Sequence, residues 1–426
     1  MRVLLCGLLF GISNIVNATD LWRAGGSADA MGAAGIVGLA PSPLAAVSAN
    51  PALLTKTRDQ NQASLTSIFV DSRFRSRFNE SARADRGPGI LPEFALSRTL
   101  PDSRWSWGAG LLIQSAMRAE FSFVDPSGTL GVSYGRQTHR SEYAVASIRG
   151  SVAYAVNDAL SVGAAVGIAY NRNQLQAPYI FQTHQVLQGF KVLVDLDADD
   201  TAWNSTLGLD YAITSSLHFN LAYSFETRFS ADGDVSGNLG QLKLGIQEDF
   251  SYDANVRTAL PASILAGFTW QATDRLQLGL QHDWINWEDS FIDLPITLTN
   301  GTNQDLNAFL GEDFILDTAP LSWHDQHVIH VGGAYALDRN KTIRLGFEQG
   351  NRLVPRTTIT PMTAAILEKA LSVGVNVEFA DISVDIAYRL SDSSDVRVTN
   401  SGLKAGEYNG TRQSLRLHSF GVSFNF

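Results

Sequence analysis

Apolar residues recur at every second position along most of this chain. In residues 160–170, one parity carries Leu, Val, Ala, Val, Ile and Tyr, whereas the other carries only Ser, Gly and Ala. The same alternation marks residues 217–226, 373–379, 382–390 and 420–426. A period of two is that of a β-strand, and a strand with one apolar and one small or polar face lies between two different environments.

Fourteen such segments predict fourteen strands, centred near Ile68, Phe94, Leu111, Val152, Val166, Leu207, Leu221, Ala266, Leu278, Val331, Leu345, Val375, Val384 and Val422. The connections between them alternate in length. Tight turns are expected at residues 157–159, 213–216, 271–274, 338–341 and 380–381, and long connections at 173–200, 230–261, 288–325 and 391–414. An even strand number with alternating short turns and long loops is typical of a barrel in an outer membrane.

A soluble sandwich or propeller would also contain two-faced strands. Two observations favour the membrane barrel. The apolar parity is rich in aromatic residues near strand ends, as interfacial girdles require. The chain also ends on an aromatic strand, Phe420 to Phe426, which can pair with a first strand at residues 63–78 and so satisfy every backbone group within lipid. The sequence therefore predicts an all-β fold, a 14-stranded antiparallel transmembrane β-barrel over residues 63–426.

The first strand carries Arg73, Arg75 and Arg77 in alternation with Phe74 and Phe78. An arginine facing lipid at mid-bilayer costs roughly 2–4 kcal/mol. We therefore expect these arginines to face the lumen.

The amino-terminal part divides into two segments. Residues 1–18 are predicted to be an export signal, with Arg2, a short apolar stretch and the Val16-Asn17-Ala18 cleavage site. The chain's one cysteine, Cys6, falls within it. Residues 19–62 are dense in Gly and Ala up to Asn50-Pro51-Ala52, and such chain packs closely in a confined space. We expect a hatch that plugs the lumen; a flexible leader is the alternative.

The charge composition of the chain limits the kinds of molecule that it can bind. The chain carries 17% charged residues and a formal net charge of −10, without a basic cluster. Because binding to phosphate backbones needs concentrated Lys and Arg, nucleic acid is excluded as the main partner. No nucleotide-binding signature or other cofactor motif is found, and we predict no cofactor.

Several motifs, in this order on this strand pattern, resemble the FadL/TodX-type outer-membrane transporters of long-chain fatty acids and other hydrophobic compounds. They are the Gly/Ala segment closing in Asn50-Pro51-Ala52-Leu53, Leu260-Pro261-Ala262-Ser263 with Gly267, Asp283-Trp284 with Trp287, Trp323-His324-Asp325 with Gly332 and Gly333, and the phenylalanine terminus. The resemblance covers essentially the whole chain after the signal. It implies a monomer in the Gram-negative outer membrane, among lipid and lipopolysaccharide.

The resemblance also implies a path. Hydrophobic substrate would enter between the third and fourth external loops and leave sideways through a gap in a kinked third strand, residues 105–121, which faces Asn50, Pro51 and Ala52. There Gly108 and Gly110 would weaken the ladder. Leu21 or Trp22 stands where the family places an apolar amino-terminal residue. Two basic positions of the family fall on Ala177 and His324, so aromatic hydrocarbons stay open beside fatty acids.

The external loops are apolar in their own right. The residues expected to contact substrate there are Leu175, Phe181, Leu187, Phe190, Leu242 and Ile246, with His324 beyond them. Loops this apolar either cover one another or bind a ligand. Both interpretations are compatible, because loops that pack together can also form a groove.

Two motifs indicate other chemistry. Gly131-Val132-Ser133-Tyr134-Gly135 matches a nucleophile elbow but lies in an external loop rather than at a strand-to-helix turn. His324, His327 and His330 look like a metal series, yet a spacing of three on a strand sends side chains to opposite faces. We predict no enzyme but passive, hatch-gated uptake of long-chain fatty acids or other hydrophobic compounds. The alternatives are uptake of aromatic hydrocarbons rather than fatty acids, or a general diffusion porin, and an outer-membrane lipase is the distant alternative.

Overall fold

The computed structural model describes residues 26–57, 59–84, 87–128, 131–243, 245–404 and 408–426. The predicted export signal, Leu21 and Trp22 lie outside the described residues. Within them the chain forms twenty strands: β1 (Gln60–Ser76), β2 (Asn79–Arg83), β3 (Gly89–Thr99), β4 (Trp105–Val124), β5 (Arg136–Ala155), β6 (Leu160–Ile180), β7 (Lys191–Ala212), β8 (Leu217–Ser224), β9 (Thr227–Asn238), β10 (Asp249–Leu260), β11 (Ser263–Thr273), β12 (Leu276–Ile285), β13 (Asp293–Thr299), β14 (Ile315–Pro320), β15 (Gln326–Ala336), β16 (Lys341–Gly350), β17 (Lys369–Glu378), β18 (Ser383–Asp392), β19 (Val396–Arg397) and β20 (Arg412–Asn425).

Helical structure is short. The α-helices are α1 (Ala28–Gly32), α2 (Pro43–Ser48), α3 (Trp287–Phe291) and α4 (Gln304–Leu310), and 3₁₀ turns cover Val37–Leu39, Pro51–Lys56 and Gly240–Leu242. In the described part of the chain, no helix is long and apolar enough to cross a membrane.

The strands close into one antiparallel barrel. Fourteen of them form the wall, namely β1, β3–β8, β11, β12, β15–β18 and β20, and each predicted strand centre falls within one of these. The barrel closes where β1 pairs with β20, with Ala63 opposite Phe424. The predicted 14-stranded fold is confirmed.

The remaining strands lie at the outer end of the barrel. β9 and β10 continue the wall upward as a hairpin, and β10 is separated from β11 at Pro261, which has no N–H for a ladder. The tight turns lie where the sequence predicts them. The prediction of long loops at 173–200 and 230–261 is wrong for most of both ranges, because strand pairing continues as far as Ile180 opposite Lys191 and Asn238 opposite Asp249.

The two faces of the wall differ in chemistry. Large apolar side chains point outward and are exposed, among them Trp203 (71%), Leu345 (60%) and Leu371 (59%). The inward parity carries polar side chains such as Gln62, which is fully buried against the amino-terminal segment. An apolar belt around a polar interior is the arrangement that lipid outside and a filled lumen inside require.

The outer end of β1 reverses this arrangement, and the prediction for its arginines is wrong. Phe74 is buried and packs against Phe123, with ring centroids 5.0 Å apart, whereas Arg75 lies on the exposed outward face. Arg73 is half-buried and pairs with Asp71. This part of the strand rises beyond the apolar belt, where the outward face meets water and the inward face meets an apolar cluster.

Candidate functional site

The amino-terminal segment, residues 26–57, lies inside the barrel and contacts inward-facing side chains on all sides. Ala28 N donates to Ser423 Oγ (2.8 Å), Leu44 N to Gln62 Oε1 (2.9 Å) and Val37 N to Gln281 Oε1 (3.1 Å). These acceptors belong to β20, β1 and β12. Wall side chains thus satisfy the backbone N–H groups that a compact coil cannot pair within itself.

Two cationic or titratable side chains hold the same segment by its carbonyl groups. Arg149 in β5 donates from Nη1 to Ser48 O (3.1 Å), at the end of α2, and from Nη2 to Thr206 Oγ1 (2.7 Å). His330 Nδ1 lies 2.8 Å from Ala34 O. A cation at a helix carboxyl end is favourable because the last carbonyls there lack partners.

The Asn50-Pro51-Ala52 motif docks on β6, β7 and β8. Its wall contact includes Gly163 and Gly208, which are paired with each other across β6 and β7. Asn50 Nδ2 donates to Leu209 O (3.1 Å), while its Oδ1 accepts from Ala52 N (3.1 Å). The expectation that this motif faces the third wall strand is therefore wrong.

The segment meets the third wall strand, β4, through Val47 and Leu54. A Cβ placed on Gly108 would lie 2.8 Å from Leu54 Cδ2, and one on Gly110 would lie 3.2 Å from Val47 Cγ1. The backbone ladder continues through both glycines, which pair with Ser97 and Ala95 of β3. The prediction that these glycines weaken the ladder is wrong; they provide room for the segment.

The ladder between β3 and β4 is interrupted just beyond Gly108 and Gly110. Pairing between β3 and β4 ends at Phe94 opposite Leu111, and within the described residues no ladder partner occurs on this side of β4 from residue 112 to residue 120. On the other side, β4 has a bulge between Ile113 and Ser115 in its pairing with β5. A lateral break in the wall thus lies beside α2.

Two β3 residues explain why the ladder stops. Pro92 pairs with Leu65 of β1 but has no N–H to donate, which suits a strand that is an edge toward β4. The carboxylate of Glu93 is buried and its Oε1 accepts from Ile113 N at 2.8 Å, in place of a backbone carbonyl. Pro92 is a functional residue that the sequence predictions do not include, although a proline inside a predicted strand is a visible sign of an edge.

A cavity of about 240 Å³ lies at the outer end of the lumen. Its wall is mostly apolar and comes from nine separate parts of the chain, including Met117, Tyr143, Leu175, Ala177, Tyr179, Leu196, Val256, Phe291, Ile296, Leu321, Trp323, Met362, Ala365 and Tyr408. For comparison, an apolar cavity of about 150 Å³ is known to bind benzene.

Aromatic rings form one side of this cavity. The Phe291 ring stacks on Trp323, with centroids 4.8 Å apart, and lies edge-on to Tyr143 at 5.5 Å. Trp287, which has no exposed surface, backs Trp323. These packed rings form a rigid aromatic wall, and such walls favour flat apolar ligands.

Two charged residues, Arg118 and Glu142, also belong to the cavity lining. Arg118 Nη2 lies 3.2 Å from Glu120 Oε2, and Arg118 Nη1 lies 3.8 Å from Glu142 Oε2. Arg140 also pairs with Glu120, at 3.0 Å. Burial raises the pKa of Glu142, and Arg118 opposes this rise. The one basic side chain in the cavity wall among the described residues is thus already paired with carboxylates of the same chain.

The residues between 351 and 368 cover the lumen from outside. Leu353, Ile359, Ile366 and Leu367 have no exposed surface and pack in one cluster with Phe74, Phe123 and Trp323. This covering role is absent from the sequence predictions, although Ala364 to Leu367 form an apolar run that a water-exposed connection would not need.

The third and fourth external connections pack on each other, as one of the two interpretations expected. Phe181, Leu187 and Leu242 are buried in a single outer cluster, and Phe190 and Ile246 pack against its edge. Of the predicted substrate contacts, Leu175 lines the cavity. His324 does not; its side chain is exposed, and its N–H donates to Leu353 O. Ala177, at the other basic position of the family, lines the cavity.

Asp317 holds the tip of the third connection over the cavity. Its carboxylate accepts from Tyr179 Oη (2.6 Å), from the backbone N–H groups of Gln182, Thr183 and His184, and from Thr183 Oγ1. Burial alone would raise the pKa of Asp317, but these hydrogen bonds outweigh it and hold the pKa below its ordinary value.

A second contact joins the second and third connections. The ammonium of Lys191 has no exposed surface, lies 2.5 Å from Asp125 Oδ1 and also donates to Pro126 O. Burial raises the pKa of Asp125 despite the attraction of Lys191. Nearby, Ser133 of the Gly-Val-Ser-Tyr-Gly motif donates to Asp125 O, so its hydroxyl is part of the loop's own structure.

The histidines of the 324, 327 and 330 series point to different faces of the wall, as their spacing on a strand predicts. His330 points into the lumen, whereas His327 is exposed outside and stacks on His282, with centroids 5.4 Å apart. Within the described residues, no group of three or more potential metal ligands converges.

The sequence matches the family of outer membrane protein transport proteins (OMPP1/FadL/TodX) over residues 17–426. Three solved structures share the fold: a Pseudomonas aeruginosa FadL homologue (19% identity, TM-score 0.72, covering 97% of this chain and 99% of that one), the Pseudomonas putida toluene transporter TodX (19%, 0.72, 95% and 98%) and the Ralstonia pickettii toluene transporter TbuX (18%, 0.66, 97% and 99%). Comparison with curated proteins finds no significant match.

Proposed function

Because the chain belongs to the outer membrane transport protein family OMPP1/FadL/TodX, we propose that it admits small uncharged hydrophobic molecules into the outer membrane, with aromatic hydrocarbons favoured over fatty acids. The observation that carries this proposal is the apolar cavity of about 240 Å³ at the outer end of the lumen. Burial of each methylene-sized group there contributes roughly 0.8 kcal/mol.

The state of Arg118 supports uncharged substrates over carboxylates. A fatty-acid head group needs a basic partner, and Arg118 is held between Glu120 and Glu142. The toluene transporters TodX and TbuX share the fold, which is compatible with this substrate class.

The proposed route leads from the cavity to the break in the wall between β3 and β4. The outer cavity and the amino-terminal segment both contact β4 near this break, through Met117 on one side and Val47 on the other. Residues 19–62 would act as a hatch, since residues 26–57 occupy the lumen below the cavity. Transfer would be passive and downhill, and movement of the hatch would lower the affinity for substrate.

Uptake assays test the proposal. A strain lacking its own transporter of this kind would express the full chain and receive labelled toluene, a labelled long-chain fatty acid or a small sugar. We expect faster uptake of toluene, little uptake of the fatty acid and none of the sugar. Rapid sugar uptake would indicate a diffusion porin, and preferential fatty-acid uptake would contradict the substrate class.

A further inference from the structure

We propose that the outer end of the wall binds a phosphate group of the outer-leaflet glycolipid, on the outward face of β1, β2, β19 and β20. The binding groups are four exposed arginines, called the arginine patch below: Arg75, Arg83, Arg397 and Arg412. They lie outside the lumen, so the inference does not depend on the proposed substrate or route.

Strand pairing places like charges directly opposite one another in this region. Arg412 of β20 is the register partner of Arg75 on β1 and of Arg397 on β19. On the far side of β1, Arg83 of β2 is the partner of Arg73. The Cβ atoms of such partners lie about 4.5–5.5 Å apart, and like charges at this distance destabilise a sheet. The patch therefore gains stability from an anion bound between its guanidinium groups.

Alternation along the strands fixes the face on which the arginines lie. Each arginine of the patch is next in the chain to a buried residue: Phe74, Ala82, Val396 or Gln413. Because successive side chains of a strand point to opposite faces, the arginine patch points away from the lumen.

Carboxylates of the chain do not compensate the patch. Within the described residues, no ion pair is found for any of its four arginines. Asp71 Oδ2 lies 2.9 Å from Arg73 Nη2 and so already has a partner. Asp392 Oδ1 likewise lies 2.9 Å from Arg416 Nε. Glu80 of β2 is exposed and pairs with no arginine of the patch.

Arginines at the outer end of β5 and β6 are compensated. Arg140 Nε lies 3.0 Å from Glu120 Oε2, and Arg172 Nη2 lies 2.9 Å from Asp197 Oδ2. A carboxylate of the same sheet thus neutralises each of these two guanidinium groups. The lack of a counter-charge is therefore a local property of the arginine patch.

The patch stands just beyond the apolar belt. Phe69 and Phe420 are exposed on the same outward face and meet edge-on, with ring centroids 5.8 Å apart. Beyond Phe69, the outward positions of β1 carry Asp71, Arg73 and Arg75. A strand rises about 3.4 Å per residue and tilts by about 35–45° in such barrels, so these charged groups lie roughly 5–15 Å above Phe69. They face the hydrated layer of sugars and phosphates above the acyl chains.

A phosphorylated glycolipid matches both parts of this surface. Guanidinium groups bind phosphate through paired N–H donors. The acyl chains of the same molecule would lie on the exposed rings of Phe69 and Phe420 below the patch. A free phosphate would contact the arginines alone, so we expect it to bind more weakly.

Binding of three probes to the purified full chain in detergent tests the inference: lipid A with its phosphates, dephosphorylated lipid A, and inorganic phosphate. Native mass spectrometry measures the lipid bound at each concentration. We expect lipid A to bind about tenfold more tightly than its dephosphorylated form, since a hydrogen bond to a charged group is worth at least that factor. Millimolar inorganic phosphate should not displace the lipid.

Variants assign the preference to the patch. Arg75→Gln/Arg412→Gln should lose most of the preference for the phosphorylated lipid and leave toluene uptake unchanged. Because this variant removes two like charges that face each other, it should unfold at no lower temperature than the wild type when no lipid is present.

The matched control removes the same charge from the other rim of the barrel. Arg275 and Arg339 are exposed, lie at tight turns and have no ion pair within the described part of the chain. Arg275→Gln/Arg339→Gln should keep the full preference.

Equal binding of the two lipids by the wild-type chain, or a preference that survives in Arg75→Gln/Arg412→Gln, overturns the inference. Displacement of the lipid by inorganic phosphate would indicate a site for free anions and also contradicts it. An equal loss of preference in the control variant would show a general charge effect and counts against the patch. If Arg75→Gln/Arg412→Gln fails to fold, Arg397→Gln decides, and an undiminished preference there overturns the inference.

Discussion

Gly163 lies directly opposite Gly208 across β6 and β7, and the two leave a bare patch of wall on which Asn50 and Pro51 rest. A Cβ on Gly208 would lie 2.1 Å from Asn50 Oδ1, and a Cβ on Gly163 would lie 2.5 Å from Pro51 C. Both distances are far inside van der Waals contact. This glycine pair therefore fixes where the amino-terminal segment can dock.

Alanine at Gly208 or Gly163 is expected to displace the segment and raise leakage through the barrel. Overpacking of this kind costs about 1–3 kcal/mol, and the segment can move more easily than the wall. Single-channel conductance in planar bilayers should rise in both variants. Gly150→Ala is the control, since nothing lies within 4 Å of a Cβ there, and it should conduct like the wild type.

A disulfide between the segment and β4 tests hatch movement. Val47 Cγ1 lies 3.2 Å from the position of a Cβ on Gly110, so cysteines at these positions are close enough to bridge. We expect Val47→Cys/Gly110→Cys to lose most toluene uptake when oxidised and to regain it with reductant, while ligand binding stays unchanged. Full uptake by a chain with a verified crosslink would show that the hatch does not gate. Each single-cysteine variant serves as a control.

Asp317 is expected to make the cover of the cavity sensitive to acid. Because hydrogen bonding holds the pKa of this carboxylate below its ordinary value of 3.8, its contribution to stability is fully present above that value and is lost as the pH falls through the lower pKa of the folded state. The hydrogen-exchange protection factors of Gln182, Thr183 and His184, which correct each rate for the intrinsic pH dependence of amide exchange, should therefore be unchanged between pH 7 and 5 and should fall at more acidic pH.

Asp317→Asn should loosen the same residues at neutral pH. The amide replaces one acceptor oxygen with a donor group that faces backbone N–H donors, which costs about 2 kcal/mol or more of local stability. Faster proteolysis near residue 183 would report the change. Asp313→Asn is a suitable control in the same connection, and equal protection in Asp317→Asn and the wild type would contradict the role of the carboxylate.

Lys191→Met is expected to destabilise the outer connections by about 3–5 kcal/mol, because it leaves Asp125 buried without its cation. The double variant Lys191→Met/Asp125→Leu should recover much of this loss, since it removes both charges. Thermal unfolding followed by the heat-dependent shift of the folded barrel on gels would compare the three proteins. Additive effects of the two substitutions would rule out the buried pair as their cause.

The period-two pattern determined the fourteen strands of the wall and the closure of β1 on β20. These features are local. Apolar and polar residues that alternate within a segment indicate a strand with two different faces, and the number of residues between such segments indicates where the turns lie. The motif Asn50-Pro51-Ala52 likewise marked a compact segment before the barrel.

Only the tertiary structure decided which environment each face meets. Alternation near Arg73 and Phe74 is the same inside and beyond the apolar belt, so the sequence alone placed those arginines on the wrong face. The docking of Pro51 on Gly163 and Gly208, the break beside Pro92 and the cavity beside Trp323 depend on residues far apart in the chain. Barrel curvature and the enclosed segment bring them together, and no local pattern records that geometry.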